Sequence, residues 1–411
     1  MRFTCSRSSL MAAIIFALLP CVWASDVQSI LYTFTGKADG AGPTNVLIAD
    51  ASGNLYGTAA GGGVNNYGTV FELSPNSSGG WTETVLYSFA GGDAGDGSNP
   101  MGIAFDGNGN IFGLTRLGGT SDSVCGCGAV FELSPGSNGG WTEAVLYRFT
   151  LQSGISPLGA PTLDAEGNLY GTTSGGGANG YGTVFELSPE AKGGWIEKTV
   201  FDFSSTSGVE PFTNVILDSS GNLYGVTTGR GGPDGTAKGT VYKLSKVAWG
   251  WSFTLLYIFR GPRGAYPVGG LVFDSAGNLY GTTSEGGAAN FGTVFELTPT
   301  TQGQWKETLL HDFTGGSDGG IPWAGLTIDA AGSLYGIAAF TETNTAFKLS
   351  PSPRGGWFFE VLADLAPSDN YVNTAPFLLN SAGNLFNVSS AGGGGSCDPG
   401  CGFVYEVSPG K

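Results

Sequence analysis

The chain holds a single histidine, His311, and that alone removes several chemistries. A His-rich metal site or a paired-histidine zinc motif needs a second imidazole. A Ser-His-Asp triad would have to use His311, and no nucleophile elbow accompanies it. His311 instead stands where Tyr87, Tyr147 and Tyr257 stand in similar phrases, so it reads as a structural residue. Arg116, Arg148, Arg230, Arg260, Arg263 and Arg354 share no register that would clamp a carboxylate. No phosphate-cradling glycine loop follows a strand and opens a helix.

The cysteines fall in pairs. Cys5 and Cys21 sit in the N-terminal segment, and the other four are Cys125 with Cys127 and Cys397 with Cys401. The five-residue loop from Cys397 to Cys401 closes without difficulty as a disulfide. The Cys125–Cys127 loop is tighter, and a bridge there is expected to be strained and more reducible. A zinc site would need further His or Cys ligands from elsewhere.

Acidic and aromatic residues cluster in Gly-rich loops. Asp39, Asp93, Asp96, Asp318 and Asp369 are candidates to line a binding rim, and Asp-Gly clusters of this kind ligate Ca²⁺ in some proteins. The competing reading, which we prefer, is that they form turns by bonding their own backbone. The phrase Asp106-Gly107-Asn108-Gly109-Asn110 superficially looks like a calcium loop. It has Ile111 where that loop needs glycine, and no Glu at its twelfth position. Phe212, Tyr266 and Trp323 each adjoin a proline in these loops, and they are candidates for stacking on sugar rings. The bland alternative is that they plug a channel or pack beneath the loops.

These residues are carried by a repeat. DASGNLYG at Asp50 returns in variant form as DGNGNIFG at Asp106, DAEGNLYG at Asp164, DSSGNLYG at Asp218, DSAGNLYG at Asp274, DAAGSLYG at Asp329 and NSAGNLFN at Asn380. Each repeat parses into four strands. Strand a ends at the Asp, as in Val46 to Asp50, and a DxxGN turn leads to strand b, Leu55 to Thr58. A Gly-rich loop precedes strand c, Gly68 to Pro75, and a Gly-Gly turn precedes strand d, Trp81 to Phe89. The alternation in strand d fits the sheet period of two. Trp81, Trp141, Trp195, Trp249 or Trp251, Trp305 and Trp357 open strand d, and their repetition points to packing between units.

The ends of the chain complement each other. A strand-d phrase, Ile30 to Phe34, precedes the first strand a, and the last repeat stops after its strand c, Gly402 to Pro409. The expected fold is therefore an all-β, seven-bladed β-propeller with four antiparallel strands per blade, its seventh blade completed by the N-terminal strand. Closure of this kind removes an open sheet edge. The a–b and c–d turns are short and repetitive. The d–a and b–c loops vary, and variable loops on a rigid scaffold are where binding concentrates.

Composition agrees. Of 411 residues 73 are Gly, only 12% are charged and 12% are aromatic, which is not a disordered composition. Residues 1–24 read as a signal peptide, with Arg2 and Arg7 before the apolar run Leu10 to Leu19 and cleavage expected after Ala24. Residues 25–411 then form one domain with 15 basic and 33 acidic residues, a net charge of 15 − 33 = −18. Such a surface repels nucleic acid and anionic membranes. No later apolar run is long enough to span a membrane as a helix.

The repeat D-x-x-G-N-L-Y-G-T-T…G-T-V-F-E-L-S-P resembles the tandem repeat called Gloeo/Verruco, or GloVer. The resemblance implies an exported bacterial protein, often surface-associated, whose relatives carry varied C-terminal anchors, and it implies no activity. The sequence ends at Lys411 without an apolar tail. The expectation is a secreted, periplasmic or cell-surface protein, released or retained by binding. The preferred reading is a non-catalytic binding or scaffold propeller, without a cofactor, for a glycan, an envelope component or an extracellular protein. The alternative is a calcium-dependent hydrolase or lactonase, with Asn45, Asn99, Asn214, Asn373 and Glu210 near the channel. A quinoprotein-like redox enzyme is a third reading.

Overall fold

The computed structural model describes residues 27–92, 95–119, 125–340, 343–365, 375–398 and 400–408. The expected signal peptide, Asp93, Asp369 and Asn373 lie outside these residues. The described residues form 28 strands and no helix, grouped in seven four-stranded antiparallel sheets. No helix among them is long and apolar enough to cross a membrane. Blade 1 comprises strands a to d at Ala41–Ala49, Leu55–Gly61, Thr69–Pro75 and Trp81–Ser88. Five further blades repeat this order along the chain, and the seventh departs from it. Its strands a to c are Leu378–Leu379, Leu385–Ser389 and Phe403–Ser408, and its strand d is Val27–Thr33. The ring is thus a seven-bladed propeller closed by pairing the two ends of the chain.

The DxxGN turn folds because one carboxylate satisfies it. Asp50 Oδ1 accepts the amides of Ser52 and Asn54, and Oδ2 accepts Asn54 Nδ2 and Tyr56 Oη. Gly53 adopts φ +85°, which a side chain would resist. Asp106 is held in the same way by Asn108 and Asn110, so its carboxylate is committed to the turn. Asn380 reproduces the Oδ1 half of the pattern in blade 7.

Two aromatic ladders bind blade to blade. In six blades the Phe after strand d meets an aromatic ring on strand c of the next blade, and in blade 6 Leu365 takes its place. Phe89 contacts Phe131 at 5.2 Å, Phe259 contacts Phe295 at 5.0 Å, and Phe34 closes the circle onto Phe71 at 5.1 Å. The strand-d tryptophans pack edge-on against strand b of the preceding blade, as Trp195 does on Phe112 and Trp305 on Tyr224. In blade 4 this position belongs to Trp251, against Tyr170, whereas Trp249 is 91% exposed. Burying one such ring contributes roughly 1.5–3 kcal/mol, so the seams carry much of the stability.

A third element joins the blades on the face of the variable loops. In six joints a proline at the start of one blade lies against a glycine before strand c of the previous blade. The pairs are Pro43 on Gly402, Pro100 on Gly68, Pro157 on Gly128, Pro211 on Gly182, Pro267 on Gly239 and Pro322 on Gly292. At Gly239, with φ +103°, a Cβ would collide with the Pro267 ring. The residue before each proline donates its amide to the carbonyl of the residue before the glycine, as Tyr266 does to Lys238 at 2.7 Å and Gly42 to Cys401 at 2.8 Å. In the sequence of the remaining blade pair the equivalent positions hold Asn373 and Asn344 instead of proline and glycine.

Candidate functional site

The clasped loops frame a cavity of about 530 Å³ on the d–a and b–c face. Phe212, Tyr266 and Trp323, contributed by blades 4, 5 and 6, all line it. The start of each strand a delivers its aromatic there because the adjoining proline is pinned to the neighbouring blade. Phe212 is exposed, and Tyr266 and Trp323 are half-buried. The polar lining comes from Glu210 and from the ends of two strand-b segments, with Thr228 and Arg230 in blade 4 and Ser284 and Glu285 in blade 5. Arg230 Nε donates to Tyr266 Oη at 3.2 Å, and Lys238 Nζ stands 6.0 Å from the centre of the Tyr266 ring. The cavity falls where strand a is short, with Ile216–Leu217, Leu271–Phe273 and Thr327–Ile328, against nine residues in blades 1 and 3.

Phe212 and Val268 also line the central channel, a space of about 130 Å³. Asn45 and Asn214 reach this channel, together with Met101, Leu158, Val268 and Leu326. Asn99 is not among its lining residues and serves as a clasp donor to Tyr67. Glu210 lines the cavity rather than the channel. Of the described members of the amide-rich set, Asn45 and Asn214 thus line the channel, and Asn99 and Glu210 do not. Among the described residues no three His, Cys, Asp or Glu side chains are grouped to hold a metal ion.

The described loop aspartates do not enter the cavity. Asp39 accepts the amides of Thr35 and Lys37 and the hydroxyl of Tyr32. Asp96 is 4% exposed and accepts the amides of Ala90 and Gly91 and the hydroxyl of Tyr87. Asp318 accepts the Thr314 amide and meets His311 Nε2 at 3.2 Å. Each ties a d–a loop to the strand before it. Burial pushes the Asp39 and Asp318 carboxyls up, and these hydrogen bonds outweigh it and hold both below the ordinary range. His311 takes the tyrosine role in its blade, stacked 3.9 Å from the Phe359 ring. Burial lowers its basicity, against the opposing pull of Asp318.

Cys397 and Cys401 are joined as a disulfide, with Cα atoms 5.1 Å apart. The bridge lies beneath Gly36, and Ser396 bonds the Thr35 carbonyl, so the b–c loop of blade 7 is tied to the N-terminal strand. Cys125 and Cys127 are also brought together.

Arg230, Glu285, Thr228 and Ser284 were not legible as site residues. Aligning the repeats marks Thr228 and Ser284 as equivalent positions, but only the blade geometry brings them to one cavity.

A ring of seven four-stranded blades with variable loops on one face defines a β-propeller. The chain belongs to the Gloeobacter/Verrucomicrobia repeat family, whose sequence profile matches residues 121–350 and 230–411. No curated protein matches it in sequence. Among solved structures it is similar to a protein from Lactobacillus plantarum, at 15% identity and TM-score 0.52, over 79% of this chain and 85% of that one. A luciferin-regenerating enzyme matches at 15% identity and TM-score 0.45, over 75% and 91% of the two chains. The PQQ-bound aldose sugar dehydrogenase from Streptomyces coelicolor matches at 11% and 0.46, over 94% and 98%. At these identities the likeness is one of fold.

Proposed function

We propose that this is an exported, non-catalytic binding propeller that holds a glycan in the cavity between blades 4, 5 and 6. One observation carries the reading. Three aromatic side chains from three successive blades converge on a single cavity that also presents two carboxylates, a guanidinium and two hydroxyls. Its volume is in the range of small-ligand sites, which combine apolar walls with a few placed polar groups. A pyranose ring offers a matching surface, with C–H faces for the aromatic walls and hydroxyls for Glu210, Glu285 and Arg230. The one histidine, His311, is engaged by Asp318 in an outer strand and does not line the cavity.

A glycan array probed with purified protein tests this, with and without chelator. The expected result is a defined set of bound oligosaccharides, lost in Trp323→Ala and recovered intact after incubation. A silent array would remove the glycan reading. Cleaved oligosaccharide would replace binding by hydrolysis.

A further inference from the structure

The clasps share one backbone feature. The residue before each clasped proline has a positive φ: Gly42 +59°, Asn99 +56°, Ser156 +53°, Glu210 +58°, Tyr266 +56° and Ile321 +49°. Residues that precede proline favour extended backbone, and a bulky side chain at positive φ is a true outlier. Gly42 performs the same backbone role without that strain, so the fold accepts glycine at this position.

At Glu210 and Tyr266 the main chain alone does the clasping. The Tyr266 amide donates to the Lys238 carbonyl at 2.7 Å, and its own carbonyl accepts the Ser284 amide at 3.1 Å and hydroxyl at 3.2 Å. The Glu210 amide donates to the Tyr181 carbonyl at 3.2 Å, and its carbonyl accepts the Thr228 amide at 3.0 Å and hydroxyl at 3.1 Å. None of these bonds uses the side chain of residue 210 or 266. Both side chains line the cavity instead.

We infer that Glu210 and Tyr266 are the specificity-determining residues of the cavity, side chains presented to the sugar by a strained clasp that glycine would relax. The positive φ recurs at Asn99, Ser156 and Ile321 and belongs to the clasp; what sets Glu210 and Tyr266 apart is that they also line the cavity. Glu210 supplies a carboxylate acceptor for sugar hydroxyls, and Tyr266 supplies a wall whose hydroxyl is already oriented by Arg230. The inference rests on the reading of the cavity as a glycan site.

The test compares Glu210→Gly, Tyr266→Gly and the control Ser156→Gly, which changes a clasp outside the cavity, by thermal unfolding and on the glycan array. All three are expected to melt at or up to about 2 °C above the unsubstituted protein. Glu210→Gly and Tyr266→Gly are expected to lose binding about tenfold or more, or to change which sugars bind, while Ser156→Gly keeps the original profile. A melting point several degrees lower in either cavity variant would make that side chain a packing element and overturn the inference. So would an unchanged profile in both, provided Trp323→Ala abolishes binding, and that result would leave the glycan reading standing. No binding by the unsubstituted protein would sink both.

Discussion

The indole of Trp81 lies edge-on to the ring of Phe386 at 6.3 Å, joining the first complete blade to the last. Together with Phe34 on Phe71 it forms the apolar part of the closing seam. Phe34 is fully buried. Phe34→Ala is expected to cost about 3–5 kcal/mol, read as a lower midpoint in denaturant unfolding. A midpoint within error of the unsubstituted protein would mean that the N-terminal strand contributes nothing to closure.

The disulfide adds to the same seam. Linking Cys397 to Cys401 closes a short loop, worth about 2 kcal/mol by loop entropy. Cys397→Ser is expected to lower stability by about that amount and to abolish most of the effect of reductant on unfolding.

The repeat aspartates form turns through their oxygens, so an amide can keep the Oδ1 half of the work, as Asn380 does. Asp274 accepts the amides of Ala276 and Asn278 with Oδ1, and Asn278 Nδ2 and Tyr280 Oη with Oδ2. Asp274→Asn is expected to lose less than Asp274→Ala, which leaves several donors unsatisfied and costs about 1–3 kcal/mol. Thermal unfolding should also be unchanged by chelator, since these carboxylates are committed to donors of the turn itself, backbone and side chain. A chelator-induced fall in melting temperature would place a calcium ion in the fold.

Two outer-strand glutamates make stability depend on pH. Burial, and then the nearby Asp39, push Glu83 up to about 7. Burial, and then Asp96, push Glu143 up to about 7. The native state therefore binds protons that the unfolded chain releases near pH 4.5. This stabilisation is complete below about pH 4.5 and is lost as pH rises through 7. The two sites are partly exposed, so about 1–2 kcal/mol each is expected after solvent screening. Gln28 holds the equivalent position in blade 7. Glu83→Gln with Glu143→Gln should flatten the fall in stability between pH 5 and pH 8. An unchanged slope would show that other groups govern it.

Much of the architecture was readable because it is periodic. Five DxxGN turns with two close variants, a tryptophan opening most of the d strands and a stray strand-d phrase at the N-terminus imply a closed ring through local hydrogen bonding and alternation alone. Strand a was read as starting near Val46. In blade 1 it begins at Ala41, because the residues around Pro43 also pair with strand b as far as Gly61. The choice between Trp249 and Trp251 needed the structure, since both fit the spacing and only Trp251 meets Tyr170.

The candidate site divides differently. Phe212, Tyr266 and Trp323 attract attention in the sequence as aromatics beside prolines, and Asp39, Asp96 and Asp318 as acidic loop residues. Residue type cannot separate these two sets. The aspartates bond their own backbone within a few residues, whereas the aromatics are carried by successive blades and meet only when the ring closes. Glu210, Arg230 and Glu285 join them for the same reason. Local chemistry belongs to the repeat and is written in it. Convergence across blades depends on the angle at which each clasp sets one blade against the next, and that is a property of the assembled ring.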